Sequence, residues 1–298
     1  MTIYDKLRSR YSNMELTKLE GGYTNSAVML KGMGPPLVAK IYDKNHGNPR
    51  VESQALAMMG GSGIAPLIYD SFEHDNVWCV VMEHLPGVVG QRFLDMGDME
   101  TSRDIYRQLG CFLATHVHSV PVNSSVSLPM KALVNPDLGA IVPADLLDET
   151  KRALDVDVSG EISLVHGDYG PQNILVDGNC MKMIDWEFAG WGNPLYDVAW
   201  VVWFVHLHYP HVCKELSKIF IDEYRLHTHV KIDSGLTKAF AVSSVVSILG
   251  GISGDYAQGR DEWIGRLRWT LGSDFTVRNS DLPILGMYPD GNASISSQ

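Results

Sequence analysis

A carboxylate and an amide stand five residues apart in the segment VHGDYGPQNILV, as Asp168 and Asn173. A second carboxylate, Asp185, follows in the segment MIDWE, 12 residues after Asn173. Short apolar stretches flank both segments, which predicts strands ending in polar loops. Phosphoryl transfer needs such a set, because one carboxylate orients the attacking hydroxyl and accepts its proton while other oxygens hold Mg²⁺ on the phosphates. We therefore predict that Asp168 is the catalytic base and that Asn173 and Asp185 are the metal ligands.

A lysine inside an apolar strand is a second chemical signal. Lys40 lies in the segment LVAKIY, and Glu52 follows in the next predicted helix. Burial of an ammonium group is costly without a negative partner, so we expect Lys40 to meet a carboxylate or phosphate. Ordinary turn chemistry is the competing interpretation of the Asp and Asn loop, and an edge lysine facing water is the competing interpretation of Lys40. The ordered occurrence of all these pieces favours the catalytic interpretation.

These motifs together resemble the aminoglycoside phosphotransferase and choline kinase family, whose fold is similar to that of protein kinases. The resemblance covers nearly the whole chain. It implies that Lys40 and Glu52 act on the α- and β-phosphates of a nucleotide. It also implies that His166 supports the catalytic loop and that Asp197 ties this loop down. An aspartate in the first turn of any helix is favoured by the helix dipole, which is the alternative for Asp197.

Two further segments would contact ATP or GTP by this resemblance. The turn between the first two predicted strands matches a loop that covers the nucleotide, although an ordinary hairpin turn explains it almost equally well. The contacts of this loop would be Gly22, Tyr23, Thr24, Asn25 and Ser26. The segment VVMEHLPG matches the hinge between lobes. There the backbone of Glu83 and Leu85 would bond the adenine edge, with Met82 behind the ring.

Departures from the protein kinases indicate a small acceptor. Gly170 stands two residues after Asp168, where protein serine/threonine kinases carry a lysine, and only 12 residues separate Asp185 from Asp197. That spacing is too short for the long segment that supports a peptide substrate. We expect the acceptor to be a small hydroxyl compound, with an aminoglycoside-like antibiotic as the first candidate. A metabolic acceptor such as an amino alcohol, a sugar or homoserine is the alternative.

A cationic acceptor would need carboxylates on the open side of the larger lobe. The candidates are Glu187, Asp255, Asp261 and Glu262, although a solvated charge on a helix face or loop is the favoured interpretation of each. A non-catalytic pseudokinase is a hypothesis from a different class. It is disfavoured because every residue of the expected catalytic set is present in the chain.

The elements that must position these groups form an α+β, two-lobe, protein-kinase-like fold. Short apolar stretches between Leu16 and Tyr42 predict three strands. A helix is predicted to begin at Asn48 and Pro49 and to end at Gly60 and Gly61. Two more strands are predicted between this helix and Glu83. The pattern then becomes helical from Ile105 to Val117 and again from Leu195 to about Leu271, with a loop or insertion over 121–145. We predict an antiparallel nucleotide-binding lobe with one helix over 1–83, a hinge over 84–90 and a mainly helical catalytic and substrate-binding lobe over 91–298.

Composition limits the class of partner. The chain has 298 residues, 45% of them apolar, and a formal net charge of −11. An acidic surface would repel nucleic acid and anionic membranes, so neither is expected as a partner. The four cysteines lack the spacing of a zinc site or a disulfide framework. The N-terminal residues lack the pattern of a secretory signal. The longest strongly apolar stretch, Val198 to Leu207, is too short to cross a bilayer. We therefore expect a cytoplasmic protein.

Overall fold

A five-stranded antiparallel sheet forms the first part of the fold. The computed structural model describes residues 2–19, 26–42, 47–134, 137–252 and 257–276. The strands lie in the order β1-β2-β3-β5-β4. Their bounds are Glu15–Leu19 for β1, Ser26–Lys31 for β2, Leu37–Tyr42 for β3, Ile68–His74 for β4 and Val77–Glu83 for β5. The two helices of this part are α1 (Ile3–Arg10) and α2 (Pro49–Met59).

Alternation along the central strand β3 directs Lys40 to one face of the sheet. Successive side chains of a strand point to opposite faces. Leu37, Ala39 and Ile41 belong to a cluster of buried residues beneath α1, whereas Tyr42 belongs to the larger core shared with α2. Lys40 and Tyr42 are two residues apart in β3, so their side chains point to the same face. Its ammonium therefore leaves the sheet on the face that α2 covers.

The helix α1 is an element that sequence reasoning missed, since only one helix was expected on this sheet. Thr2 and Asp5 form a reciprocal capping box at its start, which satisfies otherwise unpaired N–H groups of the first turn. The helix buries only Ile3 and Leu7, so its apolar periodicity is too short to stand out in the sequence. Those two side chains cover the face of the sheet opposite to α2.

The second part of the fold is mainly helical. Its longer helices surround a core of buried aromatic and aliphatic side chains and comprise α4 (Met99–Phe112), α6 (Ala144–Leu154), α7 (Leu195–His208), α8 (Cys213–Leu226), α9 (Ser234–Gly251) and α10 (Ala257–Gly272). A π-helical segment, Leu113–Val117, continues α4. Short helices are α3 (Gln91–Asp95) and α5 (Leu138–Ile141). The predicted helical pattern from Leu195 to Leu271 is confirmed.

Two small three-stranded sheets carry the loops of this helical part. One has the order β10-β9-β6 and comprises Cys180–Met183, Ile174–Asp177 and Val88–Val89. The other has the order β7-β11-β8 and comprises Met130–Lys131, Gly190–Gly192 and Ser163–Val165. The expectation of a loop over 121–145 therefore needs correction. β7, α5 and the start of α6 lie within it, and β7 is a strand because Met130 and Lys131 pair in parallel with β11.

Helix boundaries in the first part follow the predicted signals with one difference. α2 begins at Pro49 and ends at Met59, next to Gly60, as expected. Asn48 occupies the N-cap position, but its side chain makes no capping hydrogen bond. The fixed φ of Pro49 and its missing N–H favour a helix start at this residue, so the start does not depend on Asn48.

Within the part of the chain that the structure describes, one helix, α9, has the length and apolar composition that would allow it to span a membrane. Its 18 residues have a mean hydropathy of 1.2, and 56% of that stretch is buried inside the protein. α9 contacts α6, α7 and α10. These contacts make it a core helix of this fold.

Truncation of a core residue on α1 should show that this unexpected helix contributes to stability. Leu7 is fully buried, so Leu7→Ala removes its apolar contacts and leaves a cavity, which should lower the free energy of unfolding by about 2–5 kcal/mol. Urea denaturation measures this change. Leu226→Ala is the matched control, because the side chain of Leu226 is 74% exposed. Equal losses in the two variants would contradict the packing role of α1.

Candidate active site

The loop that bears Asp168 connects β8 to β9 and bends sharply at Gly167. Gly167 has a φ of 86°, and a Cβ there would lie 2.0 Å from the carbonyl oxygen of Phe188. No residue other than glycine fits this close approach without a backbone shift. The loop therefore packs directly against the turn that follows Asp185, so both halves of the predicted chemical set come together.

Asp197 holds the backbone of the same loop. Its two carboxylate oxygens accept hydrogen bonds from the N–H of His166 at 2.7 Å and of Gly167 at 2.8 Å. Asp197 is fully buried at the start of α7. On its other side His118 Nε2 lies 3.4 Å from Asp197 Oδ2, and His118 Nδ1 lies 2.7 Å from the Tyr224 hydroxyl. A carboxylate with charge-assisted bonds to two consecutive amides fixes the loop strongly.

His166 joins the loop to the strand end that precedes Asp185. Its Nδ1 accepts a hydrogen bond from the N–H of Asp168 at 3.3 Å, and its Nε2 lies 3.0 Å from the carbonyl oxygen of Ile184. Because a carbonyl only accepts, Nε2 is the donor in this contact. The ring also packs against Trp186, with centroids 4.6 Å apart. His166 therefore has the supporting position predicted for it.

The carboxylate of Asp168 is fixed by three side-chain donors. Oδ1 accepts from Trp200 Nε1 at 2.7 Å and from Gln172 Nε2 at 3.1 Å, and Oδ2 accepts from Asn173 Nδ2 at 2.8 Å. Burial raises the pKa of Asp168 above its usual value, while the hydrogen bonds from Asn173 and Trp200 oppose this rise. A raised pKa brings a carboxylate closer to the range in which it can accept a proton in catalysis.

Lys40 lies among three carboxylates. Its Nζ is 2.6 Å from Asp185 Oδ1, 3.2 Å from Glu52 Oε2 and 3.7 Å from Glu187 Oε2. Burial would lower the pKa of Lys40, but the charges of Glu52, Asp185 and Glu187 outweigh it and raise the pKa above its usual value. The ammonium group therefore stays charged.

Glu52 connects this ion cluster to the turn after Asp185. It is 1% exposed, and its Oε1 accepts a hydrogen bond from the N–H of Trp186 at 3.2 Å. Desolvation raises the pKa of Glu52 to about 7, against the lowering effect of Lys40. The further charges of Asp185 and Glu187 add to the rise. One ammonium thus does not neutralise the carboxylates around it.

The residues present fit a hard divalent cation such as Mg²⁺. Asn173 donates hydrogen bonds to Asp168 through its amide nitrogen, which leaves its amide oxygen available as a metal ligand. The N–H of Ile184 donates to the carbonyl of Asn173 at 2.9 Å, so Asp185 stands directly beside this asparagine. Amide and carboxylate oxygens are the ligands that Mg²⁺ prefers, and the excess negative charge around Lys40 favours a cation here.

The predicted nucleotide contacts are only partly within the described residues. Gly22, Tyr23, Thr24 and Asn25 lie outside them. Ser26 begins β2, and its neighbour Ala27 pairs with Lys40 across the sheet. Met82 is buried near the end of β5, Glu83 ends this strand and Leu85 follows it, half-buried. The backbone roles of Glu83 and Leu85 and the position of Met82 behind adenine stay predictions.

The predicted acceptor-binding carboxylates do not form one group. Glu187 is 2% exposed and lies beside Lys40, because the turn Trp186–Phe188 directs it inward against α2, so its assignment to an open surface is wrong. Asp255 lies outside the described residues. Asp261 and Glu262 are exposed on α10, where Glu262 forms an ion pair with Arg266 one turn later.

Sequence reasoning missed the groups that orient Asp168 from the side. Trp200 lies on α7, an almost uniformly apolar helix, so nothing in its pattern separates it from core residues. Its ring stacks on Trp203, whose centroid is 4.6 Å away, and Trp203 in turn stacks on Trp263 of α10. Gln172 was available as a signal, since it stands within the catalytic motif itself.

Comparisons with solved structures agree with this architecture. The chain is similar to a thermostable mutant of aminoglycoside phosphotransferase APH(4)-Ia in complex with ADP and hygromycin B, with 15% identity and a TM-score of 0.68 over 91% of this chain and 98% of that one. It is similar to the amicoumacin kinase hAmiN in complex with AMP-PNP, Ca²⁺ and Ami, with 13% identity and a TM-score of 0.65 over 89% and 93% of the two chains. It is also similar to a microcompartment-associated aminopropanol kinase, with 14% identity and a TM-score of 0.66 over 92% and 98%. These likenesses confirm the predicted kinase-like α+β fold.

Sequence comparison adds a local match and a family. The protein LicA of Haemophilus influenzae is 32% identical over 59 residues, which span only a fifth of this chain and a fifth of that protein. The profile of the Phosphotransferase enzyme family (APH) matches residues 15–224, more than half of the chain. This range contains Lys40, Asp168 and Asp185. The chain belongs to the phosphotransferase enzyme family.

Proposed function

We propose that this protein transfers the γ-phosphoryl group of ATP, or of GTP, to a hydroxyl group of a small polar molecule. The observation that carries the proposal is the carboxylate of Asp168, held by Trp200 and Asn173 beside the Lys40 and Asp185 ion pair. A half-buried, oriented base next to a charged cluster suited to phosphates is the arrangement that phosphoryl transfer requires. A pseudokinase would not need to keep Asp168 in this state.

The proposed reaction is a direct in-line displacement. The acceptor hydroxyl donates a hydrogen bond to Asp168 and passes its proton to this carboxylate as the new oxygen–phosphorus bond forms. The bond between the γ-phosphorus and the β–γ bridging oxygen breaks at the same centre, and nucleoside diphosphate leaves. Lys40 would neutralise charge on the phosphates, and its ion pairs with Glu52 and Asp185 hold it in position. Mg²⁺, bound by Asn173 and Asp185, would supply further neutralisation of phosphate charge.

We propose an amine-bearing alcohol as the acceptor, with an aminoglycoside-like antibiotic as the first candidate. Two of the structural neighbours are named as kinases of an aminoglycoside and of aminopropanol. Both names denote compounds with amino and hydroxyl groups. The net charge of −11 favours a cationic ligand over an anionic one. A metabolic amino alcohol, a sugar or homoserine is the second candidate, because the same catalytic residues would serve it and an aminopropanol kinase shares this fold. The cytoplasm, where ATP is available, is the proposed location.

A substrate panel tests the proposed function. Purified protein with ATP or GTP and Mg²⁺ should phosphorylate at least one aminoglycoside or amino alcohol, as detected by release of nucleoside diphosphate and by mass spectrometry of the product. Asp168→Asn should lower kcat for that acceptor by about 10²–10⁴-fold, since it removes the general base.

Asp177→Asn is the matched control for this substitution, because Asp177 is exposed at the end of β9. It should leave kcat unchanged. Turnover of metabolic alcohols alone would exclude the antibiotic as acceptor. Equal kcat values for the wild-type protein and Asp168→Asn would exclude Asp168 as the base.

Removal of one hydrogen bond to Asp168 should change the pH dependence of catalysis. Trp200 Nε1 stabilises the charged carboxylate, so Trp200→Phe should raise the pKa of Asp168. The base must be deprotonated to act, and the acid limb of kcat/KM should therefore move to higher pH by about one unit, the equivalent of one hydrogen bond to a charged group. A pH–rate profile measures this limb.

Trp203→Phe is the control for the loss of an indole from the same stack. Trp203 Nε1 donates to Thr270 at 2.8 Å and not to Asp168. This variant should keep the acid limb of the wild-type profile. An equal displacement in both variants would show that packing of the stack, and not the bond to Asp168, determines the limb.

A further inference from the structure

Three metal-binding side chains meet at the interface of α4 and α8, outside the proposed active site. They are Cys111 on α4, Glu223 on α8 and His227 at the end of α8. Cys111 and Glu223 are half-buried and His227 is exposed, so the group opens to solvent. The spacing of the cysteines predicted no zinc site, whereas the structure brings Cys111 to two residues that follow it by more than 100 positions.

Close packing of the two helices brings these side chains together. A Cβ at Gly110 would lie 2.6 Å from the carbonyl oxygen of Phe220 and 3.0 Å from Cβ of Glu223. Gly110 therefore lets the backbone of α4 approach α8 more closely than any other residue would. Cys111 is the next residue, and its sulfur lies within 4.8 Å of a ligand atom of Glu223 on α8.

The geometry suits a small tetrahedral metal ion. One donor atom from each of the three side chains lies within 4.8 Å of the other two, and His227 Nε2 is 3.0 Å from Glu223 Oε1. Bond lengths of about 2.0–2.3 Å to zinc place tetrahedral ligands about 3.4–3.6 Å apart. Small side-chain rotations would lengthen the separation between His227 and Glu223 and shorten the longer separations among the three ligand atoms. Neither helix has to move.

We propose that Cys111, Glu223 and His227 bind Zn²⁺ with a water molecule as the fourth ligand. A thiolate and an imidazole select a borderline or soft divalent ion, in contrast to the oxygen donors at Asn173 and Asp185, which select Mg²⁺. Three protein ligands with an open fourth position make a site that exchanges its metal with solvent more readily than a closed four-ligand site does.

Metal binding at this site involves a definite change in protonation. The Cys111 thiol loses its proton to solvent when its sulfur binds the ion. The hydrogen bond between His227 and Glu223 is replaced by two metal bonds, and the imidazole proton moves to Nδ1 by exchange with water. Affinity should therefore fall as pH decreases, because protons compete for all three ligands.

The two helices joined by this site also support the catalytic loop. The Tyr169 hydroxyl donates to the carbonyl oxygen of Leu109 on α4 at 2.9 Å. On α8, the Tyr224 hydroxyl lies 2.7 Å from His118 Nδ1, and His118 Nε2 lies 3.4 Å from Oδ2 of Asp197. A metal that links α4 to α8 should therefore stabilise the support of the loop, and bound Zn²⁺ should raise the Tm of the protein.

Titration with Co²⁺ as a probe for Zn²⁺ tests the proposal directly. Untagged protein, saturated with Mg²⁺ and AMP-PNP to occupy the active site, should develop the absorption of sulfur-to-cobalt charge transfer at one equivalent, and Zn²⁺ should displace it. Cys111→Ser should abolish this absorption. His227→Gln should weaken Co²⁺ binding by at least about tenfold, because a ligand is lost.

Cys180→Ser is the matched control, since Cys180 is an exposed free thiol on the hairpin of β9 and β10. It should keep the full absorption and affinity of the wild-type protein. Circular dichroism of each variant verifies that it is folded. Absence of the absorption from the wild-type protein, or its persistence in folded Cys111→Ser, would overturn the proposal. The readout does not depend on phosphoryl transfer, so the two proposals can fail separately.

Discussion

A single ammonium group surrounded by three buried or half-buried carboxylates is the constraint on which the active centre depends. Lys40 comes from the central strand of the sheet, Glu52 from α2, and Asp185 and Glu187 from the turn after β10. Each carboxylate would be costly to bury alone. Together they hold three elements of the chain in fixed relation, but with more negative than positive charge. This excess favours a divalent cation at the site, and a bound cation would offset the repulsion between these carboxylates and the phosphates of a nucleotide.

The catalytic loop depends on a second buried carboxylate. Asp197 satisfies two consecutive N–H groups of the loop and contacts His118 on its other side. Gly167 then allows the loop to lie against the turn that carries Asp185 and Glu187. The position of Asp168 relative to Lys40 is thus set by backbone contacts, and its side chain is oriented by Trp200 and Asn173. Rigid support of this kind lets a carboxylate act as a base without reorganisation.

Much of this arrangement could be predicted from the sequence, because its chemistry lies in short local motifs. The loop with Asp168 and Asn173, the strand lysine and its glutamate partner follow from residue type and spacing, and the structure brings them together. Glu187 could not be placed, since the direction of a side chain in a single tight turn depends on the packing of α2 against it. Trp200 could not be distinguished on a helix that is apolar on all sides. α1 was missed because two buried residues are too few to show a period, and the meeting of Cys111 with His227 depends on helix packing across more than 100 residues.

The dependence of nucleotide binding on Mg²⁺ tests the central claim most directly. Calorimetric titration of the protein with AMP-PNP should show strong binding only when Mg²⁺ is present, because the carboxylates around Lys40 repel phosphates until a cation offsets their charge. Asp185→Asn should weaken binding in the presence of Mg²⁺ by at least about tenfold, whereas exposed Asp177→Asn should leave it unchanged. Binding of AMP-PNP that is equally tight without Mg²⁺, or unaffected by Asp185→Asn, would contradict the account.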